Sequence, residues 1–180
     1  LKVYRVGLTQ PAAPGGAVID LPFYRLFAAV SVGQGEGMVR AMVDTGSPYT
    51  IFPPRAWPNP DEPTGPNFPV DPFPASPIPP TLDVGGRRYA YRWGRVEMVL
   101  RDVDVPAIAF PPVTVIGQFC VSRVWTDAER AVPPDQRRPE LQHILLGLSS
   151  GLFDGRYLVL KPGPTEADSE AWVQDSPPAG

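Results

Sequence analysis

The sequence predicts an all-β domain, and three observations carry that expectation. Proline is frequent, with 26 in 180 residues, and each proline removes a backbone donor and clashes inside a helix. The apolar segments are short and rich in Val, Ile, Tyr and Phe, residues that pack well on a pleated surface. Arg87–Arg101 alternates with period two, through Tyr89, Tyr91 and Trp93 and then Val96, Met98 and Leu100. At this length a single domain with a substantial core is expected.

Taken in order, Lys2–Leu8 reads as a first strand and Gln10–Pro22 as a Pro/Gly connection. Phe23–Val32 and Gly37–Val43 read as two strands joined at Gly33-Gln34-Gly35, where glycine suits a turn with positive φ. Pro53 to Pro80 is Pro-rich, lacks alternation, and is expected to be an irregular surface insertion. Leu82-Asp83-Val84-Gly85-Gly86 signals a turn before the Arg87–Arg101 strand, with a break or bulge expected at Gly94. Val105–Phe110 and Val113–Ile116 are further strand candidates, and Val124–Pro139 reads as a loop. Ile144–Gly147 reads as a short buried strand, Ser149–Phe153 as one helical turn, and Tyr157–Leu160 as the last clear strand. The domain is therefore set at 1–160, followed by an acidic Pro/Gly-rich tail over 161–180, where Ala171-Trp172-Val173 could add an edge strand.

Composition narrows the chemistry. The net charge of −3 has both signs scattered, so no basic stripe points to nucleic acid or to an anionic membrane surface. No apolar run reaches the roughly 20 residues of a membrane helix. Cys120 and His143 are the sole representatives of their types. An intrachain disulfide, a thiolate metal cluster and a His-rich zinc site are thereby excluded, and a Ser-His-Asp triad would have to use His143. Carboxylates are the remaining candidates for catalysis.

Among them Asp44 stands out, in Met42-Val43-Asp44-Thr45-Gly46-Ser47. An acid directly after an apolar strand, followed by a small hydroxyl residue and glycine, suits a carboxylate held at a strand end in a tight turn. A polar turn needing Asp and Gly for its geometry alone would look the same. Far downstream lie Ile144-Leu145-Leu146-Gly147 and Ser149-Ser150-Gly151-Leu152-Phe153-Asp154. In this combination the chain resembles the retropepsin (retroviral-type) family of aspartic proteases, and its bacterial branch most closely. That family carries two apolar residues before Asp-Thr-Gly-[Ser/Ala], then an apolar-apolar-Gly element, a short helix and a final strand. The resemblance spans Phe23–Leu160 apart from the Pro-rich insertion. It implies a closed β-barrel with one short helix near the C-terminal end.

The resemblance also implies a function: aspartic endopeptidase action through a dyad built from two copies of Asp44 across a homodimer, acting on peptide or protein substrates with no cofactor and no metal. Asp44, Thr45 and Gly46 would form the catalytic triplet. Thr45 would brace the partner's backbone with its hydroxyl, and Gly46 would let the substrate backbone approach. Ser47 would donate to Asp44 and favour its ionised form, while Val84, Gly85 and Gly86 would form a flap tip over the substrate, with Trp93-Gly94 as a rival tip. Two positions depart from the retroviral pattern, in which an Asp often stands at Pro48 and an Arg at Leu148, forming an ion pair near the dimer interface. Both partners are missing together, so no unpaired buried charge remains. The alternatives are a catalytically silent retropepsin-like domain that binds peptides or a partner, and a β-barrel interaction module in which Asp-Thr-Gly is accidental. Compartment is weakly constrained: a lone thiol suits the cytoplasm, and a soluble domain cut from an anchored protein would look the same.

Overall fold

The computed structural model describes residues 4–10, 21–33, 37–61, 66–149, 151–161 and 170–177. The strands are β1 (Tyr4–Gln10), β2 (Leu21–Val32), β3 (Met38–Asp44), β4 (Thr50–Phe52), β5 (Asp71–Pro72), β6 (Thr81–Val84), β7 (Arg87–Arg101), β8 (Val113–Val124), β9 (Leu145–Gly147), β10 (Tyr157–Lys161) and β11 (Glu170–Gln174). Among the described residues one short helix, α1 (Asp127–Ala131), and a single 3₁₀ turn at Pro134–Gln136 interrupt them. The protein is mostly β, as its composition predicts. Among the described residues no helix is long and apolar enough to cross a membrane.

The main sheet runs β1-β2-β3-β9-β4-β8-β7-β5, with β6 on β7 and a further pairing of β2 with β7. Sequence-adjacent strands pair in β1–β2, β2–β3, β6–β7 and β7–β8, but β9 enters from far along the chain. It lies parallel to β3 and antiparallel to β4. The β7 strand shows how one sequence serves two packing faces. Its inward side chains are Tyr89 and Tyr91 in the first half and Val96, Met98 and Leu100 in the second, so the parity changes around Gly94. The strand stays continuous through Gly94, where Phe119 Cε2 would lie 3.1 Å from any added Cβ. The register shift against β8 falls earlier, between Ala90 and Tyr91.

The second half of β7 joins the main core, where Val30, Ala41, Phe52, Met98, Phe119 and Leu146 pack together. The first half joins a smaller cluster of Ile51, Tyr89, Cys120 and Leu145, with Met42, Leu82, Val84 and Leu141 against it. Burial pushes the Cys120 thiol up to about 12.

Several local expectations are corrected. The helix lies at Asp127–Ala131, inside the segment read as a loop, and not near the C-terminal end; the described residues of Ser149–Phe153 form turns and a bend. Thr126 caps α1 with a full capping box to Glu129, and Pro133-Pro134 stop it after one turn. Val105–Phe110 is not a strand. Asp102 Oδ1 accepts from the Asp104 and Val105 amides at 2.9 and 3.0 Å, which turns the chain, and only Ala109 bridges back to Arg101.

The Pro-rich region is anchored rather than peripheral. Trp57 Nε1 donates to the Cys120 carbonyl at 2.7 Å and Asn59 Nδ2 to the Val121 carbonyl at 2.8 Å. These side chains take over along β8 where pairing with β4 ends at Phe119. Phe68 is buried in the main core, and β5 pairs with β7. In the tail, β11 pairs with β10, and Ala171 and Val173 are buried in that same core. The turn residues Gln34–Glu36, most of the Gln10–Pro22 connection and the tail over 162–169 lie outside the described residues.

Candidate active site

Asp44 is the last residue of β3, half-buried, and the chain turns immediately after it. The Gly46 amide donates to Asp44 Oδ1 at 3.0 Å, and the Ser47 amide donates to the Asp44 carbonyl at 3.2 Å. Thr45 and Gly46 are exposed at the tip of this turn. The chain then returns as β4, starting at Thr50.

Strand β9 sits between the two arms of this loop. Met42, Val43 and Asp44 pair with Leu145, Leu146 and Gly147, while Ile51 on the returning arm pairs with Leu145. Leu146 is fully buried and Leu145 is 2 % exposed, so the apolar pair anchors the element. Gly147 fulfils a different need. Any Cβ there would overlap the backbone of Tyr49, so only glycine lets the two chains lie this close. Beyond it the Leu148 amide donates to the Ser47 carbonyl at 3.1 Å and the Ser149 amide to the Pro48 carbonyl at 3.0 Å. Pro48 and Leu148, the two positions that depart from the retroviral pattern, are therefore neighbours. Leu148 packs on the main core.

Ser47 does not serve Asp44. Its hydroxyl donates to the Tyr49 carbonyl at 2.7 Å. A serine at the end of a tight turn finds the carbonyl two residues on as its nearest acceptor. The bond braces the stretch of backbone that Gly147 packs against. Thr45 makes no hydrogen bond within the chain among the described residues, so its exposed hydroxyl is available to an external partner.

Val84, Gly85 and Gly86 close the β6–β7 hairpin, and the two glycines adopt φ of 55° and 72°. Two successive positive values suit the tight turn that matches strand twist. Val84 packs against the cluster that also contains Met42 and Leu145, so hairpin and Asp44 strand share one support. Trp93-Gly94, the rival tip, lies mid-strand opposite Gln118 and Gly117 and is excluded as a tip. The hairpin tip is tied down. Arg138 Nη1 donates to the Gly85 carbonyl at 3.4 Å and Arg87 Nε to the Pro139 carbonyl at 2.5 Å.

An aromatic run lies beside the loop. Tyr49, 39 % exposed, meets the Trp93 ring edge-on at 4.7 Å, and Trp93 meets Tyr91 at 5.7 Å. Tyr89 is fully buried, with its hydroxyl accepting from the Leu141 amide at 2.9 Å. His143 is an exposed residue whose ring stands edge-on to Phe27 at 5.2 Å.

No protein family, curated protein or solved structure matches this chain.

Proposed function

We propose that this chain is one half of a retropepsin-like aspartic endopeptidase, with two closed-barrel subunits joined so that their Asp44 carboxylates meet. One observation carries the reading: β9 is held between both arms of the Asp44 loop, with Gly147 locked against the Tyr49 backbone. Such bracing fixes a carboxylate at a strand end, where catalysis needs a preorganised group. The β2–β7 pairing supports the barrel, since it links two remote parts of the sheet path. Asp44 contacts no second carboxylate among the described residues, so a dyad has to draw its other half from a second copy.

In that dyad, two carboxylates in contact cannot both stay ionised cheaply and share one proton. One takes a proton from water, which attacks the peptide carbonyl. The other, protonated, polarises that carbonyl and protonates the leaving nitrogen. The exposed Thr45 hydroxyl faces outward to brace the opposite loop, and the β6–β7 hairpin covers an extended substrate lying along the cleft.

The test is cleavage of a peptide library between about pH 4 and 7, the span a shared-proton dyad covers, by wild type, Asp44→Asn, and wild type with a pepstatin-type inhibitor. Cleavage lost in both comparisons supports the reading. A folded dimer that binds the inhibitor without cleaving peptides supports the catalytically silent form, and absence of both cleavage and inhibitor binding removes the proposal.

A further inference from the structure

A second site lies in a cavity of about 480 Å³ between β6–β7 and the segment from Trp125 to Arg138. Four guanidinium groups line it, from Arg88, Arg123, Arg137 and Arg138, against two carboxylates, Asp83 and Glu129. Two of the arginines are neutralised locally. Arg88 donates to both oxygens of Asp83 at 3.1 Å, and Arg123 Nη2 donates to Glu129 at 2.7 Å.

The other two have no acidic partner among the described residues, and backbone carbonyls hold them instead. Arg137 donates to the carbonyls of Val132 at 2.8 Å and Arg130 at 3.0 Å, with its guanidinium 5.2 Å above the Trp125 ring. Arg138 reaches the Gly85 carbonyl. The cavity therefore carries an excess of two positive charges, and the Arg137 fork is already fixed in place, so little of its rotamer freedom is lost on binding. Arg123 lines the same cavity. The Arg123 side chain is 2 % exposed, packed 3.7 Å above Trp125, and its Nε–H is a buried donor with no acceptor. Such donors are rare in folded proteins and costly to leave unmade.

We propose that this cavity binds a doubly charged oxyanion of the phosphoryl type. Its oxygens meet the free donors of Arg137 and Arg138, and its charge matches the two unneutralised guanidiniums. The volume exceeds what a bare ion needs and falls in the range of small-ligand pockets, so the phosphoryl group can be free or carried on a small organic body. The proposal makes no use of Asp44.

The experiment is calorimetric titration and thermal denaturation of the full chain with inorganic phosphate and, separately, glycerol phosphate, at ionic strength fixed with sodium chloride. Saturable binding and a raised Tm with either probe are expected. Equal affinities assign the site to the free anion, and tighter glycerol phosphate binding assigns it to a carried phosphoryl group. Arg138→Gln, an exposed position that should fold normally, and Arg137→Gln each weaken binding about tenfold or more. Arg92→Gln, on β7 outside the cavity, and Asp44→Asn leave it unchanged. Equal stabilisation by chloride alone, or full binding by both cavity variants, overturns the proposal.

Discussion

Replacing Gly147 by alanine tests how tightly the Asp44 loop is braced. The added methyl would overlap the backbone nitrogen, carbon and oxygen of Tyr49, none of which can rotate away as a side-chain tip could. Gly147 does not have positive φ, so the cost is steric rather than conformational. Forced overpacking costs about 1–3 kcal/mol. Separating the strands also weakens the bonds from Leu148 to Ser47 and from Ser149 to Pro48, each worth about 1 kcal/mol. The expected loss is about 3–5 kcal/mol, a large part of the roughly 5–15 kcal/mol that holds a domain folded. In urea this lowers the midpoint by about 2 M for a slope of about 2 kcal/mol per M. The comparison is Gly37→Ala at equal protein concentration. Gly37 is exposed and a Cβ there meets open space, so its change should stay within about 0.5 kcal/mol. An unaltered midpoint for Gly147→Ala would refute the claim that β9 and the Asp44 loop are in obligate close contact.

Three other outcomes follow from local geometry. Ser47→Ala removes the bond to the Tyr49 carbonyl and should cost about 1 kcal/mol in urea unfolding; because the Ser47 hydroxyl donates to Tyr49 and not to the Asp44 carboxylate, the acidic limb of a cleavage profile should not move. Glu129 is held at about 2, below its ordinary 4.5, by hydrogen bonds from the Thr126 backbone and from Arg123. Its folded value is depressed, so its contribution to stability is present above about 4.5 and is lost as pH falls toward about 2. The stability gap between wild type and Glu129→Gln should therefore narrow as pH falls from about 4.5 toward about 2, and a constant gap contradicts the assignment. Cys120 is fully buried with its thiol raised to about 12, so a thiol reagent at pH 8 should react only as the chain unfolds; prompt labelling of native protein would show the cluster open.

Most of the strand framework was legible because period-two alternation and turn glycines act locally. Arg87–Arg101 matches β7 at both ends, and the Gly85-Gly86 turn falls where the sequence places it. The failures have physical causes. The α1 capping box, Thr126-Asp127-Ala128-Glu129, was present as a signal but was masked by the prolines that follow it. Val105–Phe110 has strand composition, yet the Asp102 side chain competes for its backbone amides. The Pro53–Pro80 region lacks periodicity because its anchors, Trp57, Asn59 and Phe68, act singly through long-range contacts. For the site, the sequence marks Asp44 and the Leu145–Gly147 element separately. Their pairing is a tertiary event that no local pattern encodes. The role of Ser47 was misassigned because sequence adjacency to Asp44 says nothing about which acceptor its hydroxyl reaches.

The central claim, that two copies of Asp44 build one catalytic centre, is tested most directly by mixing. Wild type and Asp44→Asn are co-equilibrated in varied proportion at constant total protein, and cleavage of a peptide substrate is measured. With random pairing of subunits, activity follows the square of the wild-type fraction and drops to about a quarter at an equal mixture. A linear decline, to about half at that point, would mean each chain acts alone and would contradict the account.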